Sequence, residues 1–191
     1  MGVGESAVAE TGARLRTRRA ILDAAVTALI RNSSATLADI AVEANVGRTT
    51  VHRYFPERSD LLGAIGTDFL DKIEQATTRA RLEEGSAPEA LRRLCQEYFE
   101  FGDLFTLTFA MPELATGPEW EQDTDADRAV VALIERGHAQ GTVDAGMAPA
   151  WVQQVLWSLL FTAWAYVREN SVPKHEALNL CLRSLAKMVS P

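Results

Sequence analysis

The sequence predicts an all-α chain with an N-terminal three-helix unit and a C-terminal helical body. Three observations carry that prediction. Apolar residues recur at three- and four-residue spacing through most of the chain, while strand-like alternation is nearly absent. Seven prolines and twelve glycines sit mainly near the ends of those periodic runs. Two of the runs are very short and joined by a tight turn, within residues 36–61.

Taken in order, residues 1–12 are small and polar and predict a flexible arm. Arg14, Arg16, Arg18 and Arg19 open a first helix whose apolar face is Leu15, Ile21, Leu22, Ala25, Val26, Leu29 and Ile30. Thr36 and Asp39 form the T-x-x-D capping box of a second helix, in which Leu37, Ile40, Ala41 and Ala44 make one apolar stripe. Asn45-Val46-Gly47 breaks it, because Asn tolerates the left-handed conformation and Gly suits the next N-cap. A third helix turns Val51 and Phe55 inward, and its Arg48, Thr49, His52 and Arg53 fall at i, i+1, i+4 and i+5, on one outward face.

A fourth helix is predicted from Pro56 to about Glu84. Residues 88–110 form one apolar-rich helix or two abutting ones. The acidic stretch 111–127 is a loop with room for a short helix, followed by a helix over about 125–140. Residues 149–169 read as a helix apolar on almost every side, except for a polar line at Gln154, Ser158 and Thr162. The last helix runs over about 174–189. This divides the chain into the arm, a first domain over 13–58 and a second over 59–191.

The formal charge of −7 argues at first against a nucleic-acid partner. Its distribution reverses the argument. Residues 13–55 hold seven basic and three acidic side chains, whereas residues 56–191 hold twelve basic and twenty-one acidic. The basic charge therefore lies with the helix pair, and an acidic body disfavours indiscriminate attachment to DNA or membrane. A short helix that shows two guanidiniums, a hydroxyl and an imidazole suits a DNA major groove. Arg14, in the basic start of the first helix, is a candidate for phosphate or the minor groove.

The order of residues over 36–61 resembles the DNA-binding domain of the TetR family, which runs T-x-x-D-I-A-x-x-A-G-V-S-x-x-T-L-Y-x-x-F-x-x-K-x-x-L. Thr36, Asp39, Ile40, Ala41, Ala44, Val46, Thr50, Phe55 and Leu61 match it directly. Asn45 replaces the turn Gly, Gly47 the Ser, Val51 the Leu, His52 the Tyr and Arg58 the Lys. Gly47 loses a hydroxyl that contacts phosphate in relatives, and His52 replaces a phenol that often does the same. An imidazole there brings an expectation of tighter operator binding below about pH 6.5. The resemblance implies DNA contacts by Arg14, Thr36, Arg48, Thr49, Thr50, His52, Arg53 and Arg58. It also implies a homodimer, built through the two C-terminal helices, on a pseudo-palindromic double-stranded operator. Repression relieved by a small molecule is the implied function, and at residue level the resemblance covers only about residues 14–62.

Aromatics in the body exceed what one core stripe requires. Tyr98, Phe101, Phe105, Trp120, Trp157, Phe161 and Trp164 are the candidate pocket residues for an apolar or aromatic effector. No enzyme is expected. The three histidines are far apart, neither Cys95 nor Cys181 has a partner at metal spacing, and no phosphate-binding Gly loop appears. No cofactor, metal or membrane partner is expected, and two reduced, buried thiols with no secretory signal suit the cytoplasm. The competing reading is a dimeric helical interaction or ligand-binding protein whose helix-turn-helix no longer binds DNA.

Overall fold

The computed structural model describes residues 12–191, and among these every regular element is helical. The arm expected at the N-terminus lies outside the described residues but for Gly12, which opens the first helix. The chain divides into two compact units, residues up to Ala64 and residues from Ile65.

The first unit holds α1 (Gly12–Arg31), α2 (Leu37–Glu43), α3 (Arg48–Tyr54) and the start of α4 (Arg58–Ala80). Its core gathers Ile21, Ala25 and Leu29 of α1, Ile40 and Ala41 of α2, Val51, Phe55 and Leu61. Full burial of a side chain such as Ile40 or Val51 contributes about 1.5–3 kcal/mol. Leu15, placed in the apolar face by its spacing, is instead 52% exposed, because the first turn of α1 extends past its neighbours' cover. Arg31 of α1 pairs with Glu43 of α2 at 2.9 Å, and the Arg18 guanidinium lies 5.5 Å over the Phe55 ring.

The expected capping box forms. The Thr36 amide and hydroxyl both donate to Asp39 Oδ2, at 2.8 and 2.7 Å, and the Asp39 amide donates back to Thr36 Oγ1 at 3.2 Å. Asn45 takes the left-handed conformation at φ 51°, and Gly47 is the N-cap of α3. The Thr36 hydrogen bonds hold the Asp39 carboxyl below its ordinary range. A depressed folded value means that this contribution is complete above the unfolded value of about 3.9 and is lost as pH falls through the lower folded one. NMR titration should therefore find Asp39 protonating below pH ~3.9. A midpoint at or above that value would show that the box does not persist in solution.

In the second unit, α4 continues to Ala80 and is followed by α5 (Ala87–Phe99), α6 (Gly102–Ala110), α7 (Asp125–Ala139), α8 (Pro149–Asn170) and α9 (Lys174–Val189). Two 3₁₀ turns, Pro112–Ala115 and Pro118–Trp120, occupy the acidic stretch. α8 packs on α9, α6 and α7, and α5 packs on α7 and α9. Cys95 and Cys181 are free and buried, with their sulfurs 3.6 Å apart.

Helix α4 is shorter at both ends than periodicity predicts. It starts at Arg58, where Asp60 Oδ2 accepts the Glu57 amide at 2.9 Å. It stops at Ala80 because Arg81 reverses the chain at φ 49°. Arg93 collects the carbonyls of Ala80, Arg81 and Glu84, and Arg136 that of Leu82 at 2.8 Å. Those bonds satisfy orphan acceptors that more helix would otherwise have used. The run over 88–110 resolves into two helices, α5 and α6, that meet at Glu100–Gly102.

Candidate DNA-reading face and effector cavity

On α3, Val51 is buried, whereas Arg48, Thr49, His52 and Arg53 are exposed together and Thr50 is half-buried. Seven residues suffice to hold that arrangement because Val51 and Phe55 anchor one side, with Gly47 as the N-cap. The Arg53 guanidinium lies 5.5 Å from the Tyr54 ring centroid, which orients a flexible side chain. His52 Nδ1 lies 3.3 Å from the Pro56 carbonyl oxygen. Only a protonated Nδ1 bonds a carbonyl, so Nε2 is the ring nitrogen available to DNA.

Other expected DNA contacts are placed differently. Arg14 is exposed on the first turn of α1. Arg58 turns into its own unit, donating to Ser33 O at 2.7 Å and Ala35 O at 3.5 Å. It braces the α1–α2 loop. The Thr36 hydroxyl is likewise engaged in the capping box.

The second unit contains a cavity of about 290 Å³. Phe69, Leu70 and Ile73 of α4 form one wall, Phe105, Thr108 and Phe109 of α6 another, and Gln154 and Trp157 of α8 a third. Glu119, Trp120, Gln122, Thr124 and Asp127 come from the 3₁₀ segment and the start of α7. Its aromatic walls hold one another at the spacings such pairs prefer: Phe69 to Phe105 at 5.1 Å edge-on, and Phe105 to Trp157 at 5.0 Å. The 3₁₀ segment reaches α4 because Gly66 has no side chain. A Cβ there would collide with the Leu114 carbonyl.

Among the described residues, two carboxylates and no Lys, Arg or His line this space. Asp127 is fixed by its capping box with Thr124 and by Gln153 Nε2 at 2.5 Å on its other oxygen. Glu119 accepts a long bond from the Thr67 hydroxyl, at 3.4 Å. The cavity therefore offers aromatic faces together with net negative charge.

Of the seven aromatics expected to surround a ligand, Phe105, Trp120 and Trp157 line the cavity, and Tyr98, Phe101, Phe161 and Trp164 do not. Tyr98 is buried behind Trp157, the two rings stacked at 5.1 Å. Trp164 is a core residue, donating Nε1–H to the Phe99 carbonyl at 2.8 Å and stacking on Phe99 at 5.0 Å. Phe161 stacks on Phe109 at 4.5 Å, and Phe101 is the half-buried N-cap of α6. The wall from α4 and the acid at Asp127 lie outside the set that the sequence singles out. Phe69 and Ile73 read as ordinary members of a helical stripe, while the Thr124–Asp127 box was a legible local signal.

A family profile for bacterial regulatory proteins of the tetR family matches residues 21–65. The HTH-type transcriptional repressor LfrR of Mycolicibacterium smegmatis is 36% identical over 177 residues, covering 92% of each chain. The chain belongs to the tetR family of bacterial regulatory proteins. It is a DNA-binding transcriptional regulator, and its helix-turn-helix is α2 and α3.

Among solved structures, the TetR-like regulator LfrR from Mycobacterium smegmatis in complex with proflavine superposes with a TM-score of 0.73 at 33% identity, over 92% of this chain and 98% of that one. The ketosteroid transcriptional regulator KstR2 of Mycobacterium tuberculosis, 16% identical, reaches 0.72 over 95% of this chain and 97% of that one. At that identity the likeness is one of fold. Among the described residues no helix is long and apolar enough to cross a membrane.

Proposed function

We propose that this regulator represses transcription in the cytoplasm as a homodimer and leaves its operator when a planar aromatic cation occupies the second-unit cavity. The observation that carries the effector class is the lining: five aromatic side chains with two carboxylates and no basic group, around about 290 Å³. Aromatic faces and carboxylates both favour a cation over an anion of equal size. The relative LfrR, whose structure contains proflavine, adds a precedent of that chemistry.

Dimerisation is supported by the outer face of α8 and α9. Trp151, Tyr166 and Leu180 are large, apolar and exposed there, beside the small polar line of Gln154, Ser158 and Thr162. Two copies paired through these helices make a four-helix bundle with a two-fold axis. Two α3 helices then read half-sites roughly 34–36 Å apart on a pseudo-palindromic operator. Arg48, Thr49, Thr50, His52 and Arg53 are the proposed reading set, with Arg14 at the margin.

Mobility-shift assays on promoter fragments, repeated with proflavine and with an anionic planar aromatic of similar size, test the reading. A sequence-specific complex released by the cation alone is expected. Release by both dyes equally would remove the charge argument. Absence of any specific complex at low salt would favour the interaction-protein alternative.

A further inference from the structure

Thr77 and Thr106 are buried threonines, 7% and 9% exposed, and Tyr98 is 1% exposed. Thr77 sits on α4, four residues after the cavity-lining Ile73, and its hydroxyl donates to the Ile73 carbonyl at 2.8 Å. With that hydrogen committed, the 2.7 Å contact between Thr77 Oγ1 and Tyr98 Oη has one consistent direction: the phenol donates. Burial pushes the Tyr98 phenol well above its ordinary range, so that it remains a donor. The ring of Tyr98 lies parallel to Trp157, 8° between planes, and Trp157 lines the cavity. Cavity, indole, phenol and α4 are thus joined in sequence.

Phenylalanine and valine would fill the same space without two hydroxyls that need partners in a dry interior. A stacked pair followed by a short hydrogen bond also constrains more than apolar contact does, since the bond has direction and apolar surfaces slide. α4 is one continuous helix that begins in the first unit and ends in the second, so Thr77 and the first-unit core residue Leu61 belong to the same helix. We propose that Tyr98, through its hydroxyl on Thr77, is the positioning residue that carries occupancy of the cavity to α4, while itself making no contact with the effector. This rests on the effector reading above.

The test is a coupling measurement on the full chain with proflavine as the probe. Dye affinity is read by fluorescence, and operator affinity by anisotropy with and without saturating dye. For the unmodified protein the ratio of the two operator constants is expected at ~5–150. Tyr98→Phe, which leaves the Thr77 bond to Ile73 intact, should keep dye affinity and dye-free operator affinity within about twofold while the ratio falls at least about threefold. Thr77→Val should lower the ratio likewise, and Thr77→Ser should restore it.

A normal ratio in folded Tyr98→Phe and Thr77→Val overturns the relay. So does a loss of dye affinity equal to the loss in ratio, which would make Tyr98 part of the binding wall. An unmodified protein that binds proflavine with no change in operator affinity, or does not bind it, sinks the effector reading itself, and the relay with it.

Discussion

Gly102→Ala is expected to lower the melting temperature by ~6–12 °C, from an over-packing cost of ~3 kcal/mol in a chain of this size. An added Cβ at residue 102 would fall inside the indole ring of Trp164. That ring has no easy retreat. It is 6% exposed, stacks on Phe99 at 5.0 Å, donates to the Phe99 carbonyl, and carries the Lys174 ammonium 4.6 Å from its centroid on α9. The same contact explains why α5 and α6 are separate helices, since the chain bends where the indole meets bare backbone. Thermal denaturation followed by circular dichroism checks this. A shift under ~2 °C, less than 1 kcal/mol would produce, would mean that the indole does not occupy this place. The Trp164→Leu background should make the glycine substitution milder, because an aliphatic side chain can rotate away.

Arg48→Ala and Arg53→Ala are each expected to weaken operator binding by at least ~30-fold. A specific arginine contact is worth about 1–3 kcal/mol, and a homodimer loses it twice. Both residues are exposed, and alanine is the best helix former, so folding should be little affected. Anisotropy titrations over a range of salt separate the two roles these arginines can have. A base reader loses affinity for the operator more than for random DNA, whereas a phosphate contact also flattens the salt slope by ~0.9 for each charge removed. A loss below threefold in both variants would mean that α3 is not the reading helix.

How much of this was legible before the structure depends on how local each determinant is. The box at Thr36–Asp39, the left-handed Asn45 and the bounds of α9 involve residues a few positions apart, and periodicity and capping rules find them. The exposed set on α3 is legible for the same reason. Seven residues make two turns, and Val51 with Phe55 leaves only one side for the arginines.

The stop of α4 is different. Leu82 continues the apolar run and is buried, so no local signal ends the helix. Its end is made by Arg93 and Arg136, the latter more than fifty residues away in sequence. The aromatic set shows the same divide. Trp157 and Trp164 lie on one helix seven residues apart, nearly the same face, yet one lines the cavity and the other packs on Phe99 and Gly102. Arg58 stands where the family pattern has a Lys, and it turns inward because the Ser33 and Ala35 carbonyls of the α1–α2 loop lie within its reach.

By itself, then, the sequence determined the all-helical architecture, the exposed polar face of α3 and the division of charge, because each follows from residue spacing along one helix or from composition. The tertiary structure alone decided which aromatics border empty space, where α4 ends and which hydroxyl sits behind the cavity wall. The physical reason is that periodicity says which side of a helix is apolar, and only the neighbouring helices say what that side meets.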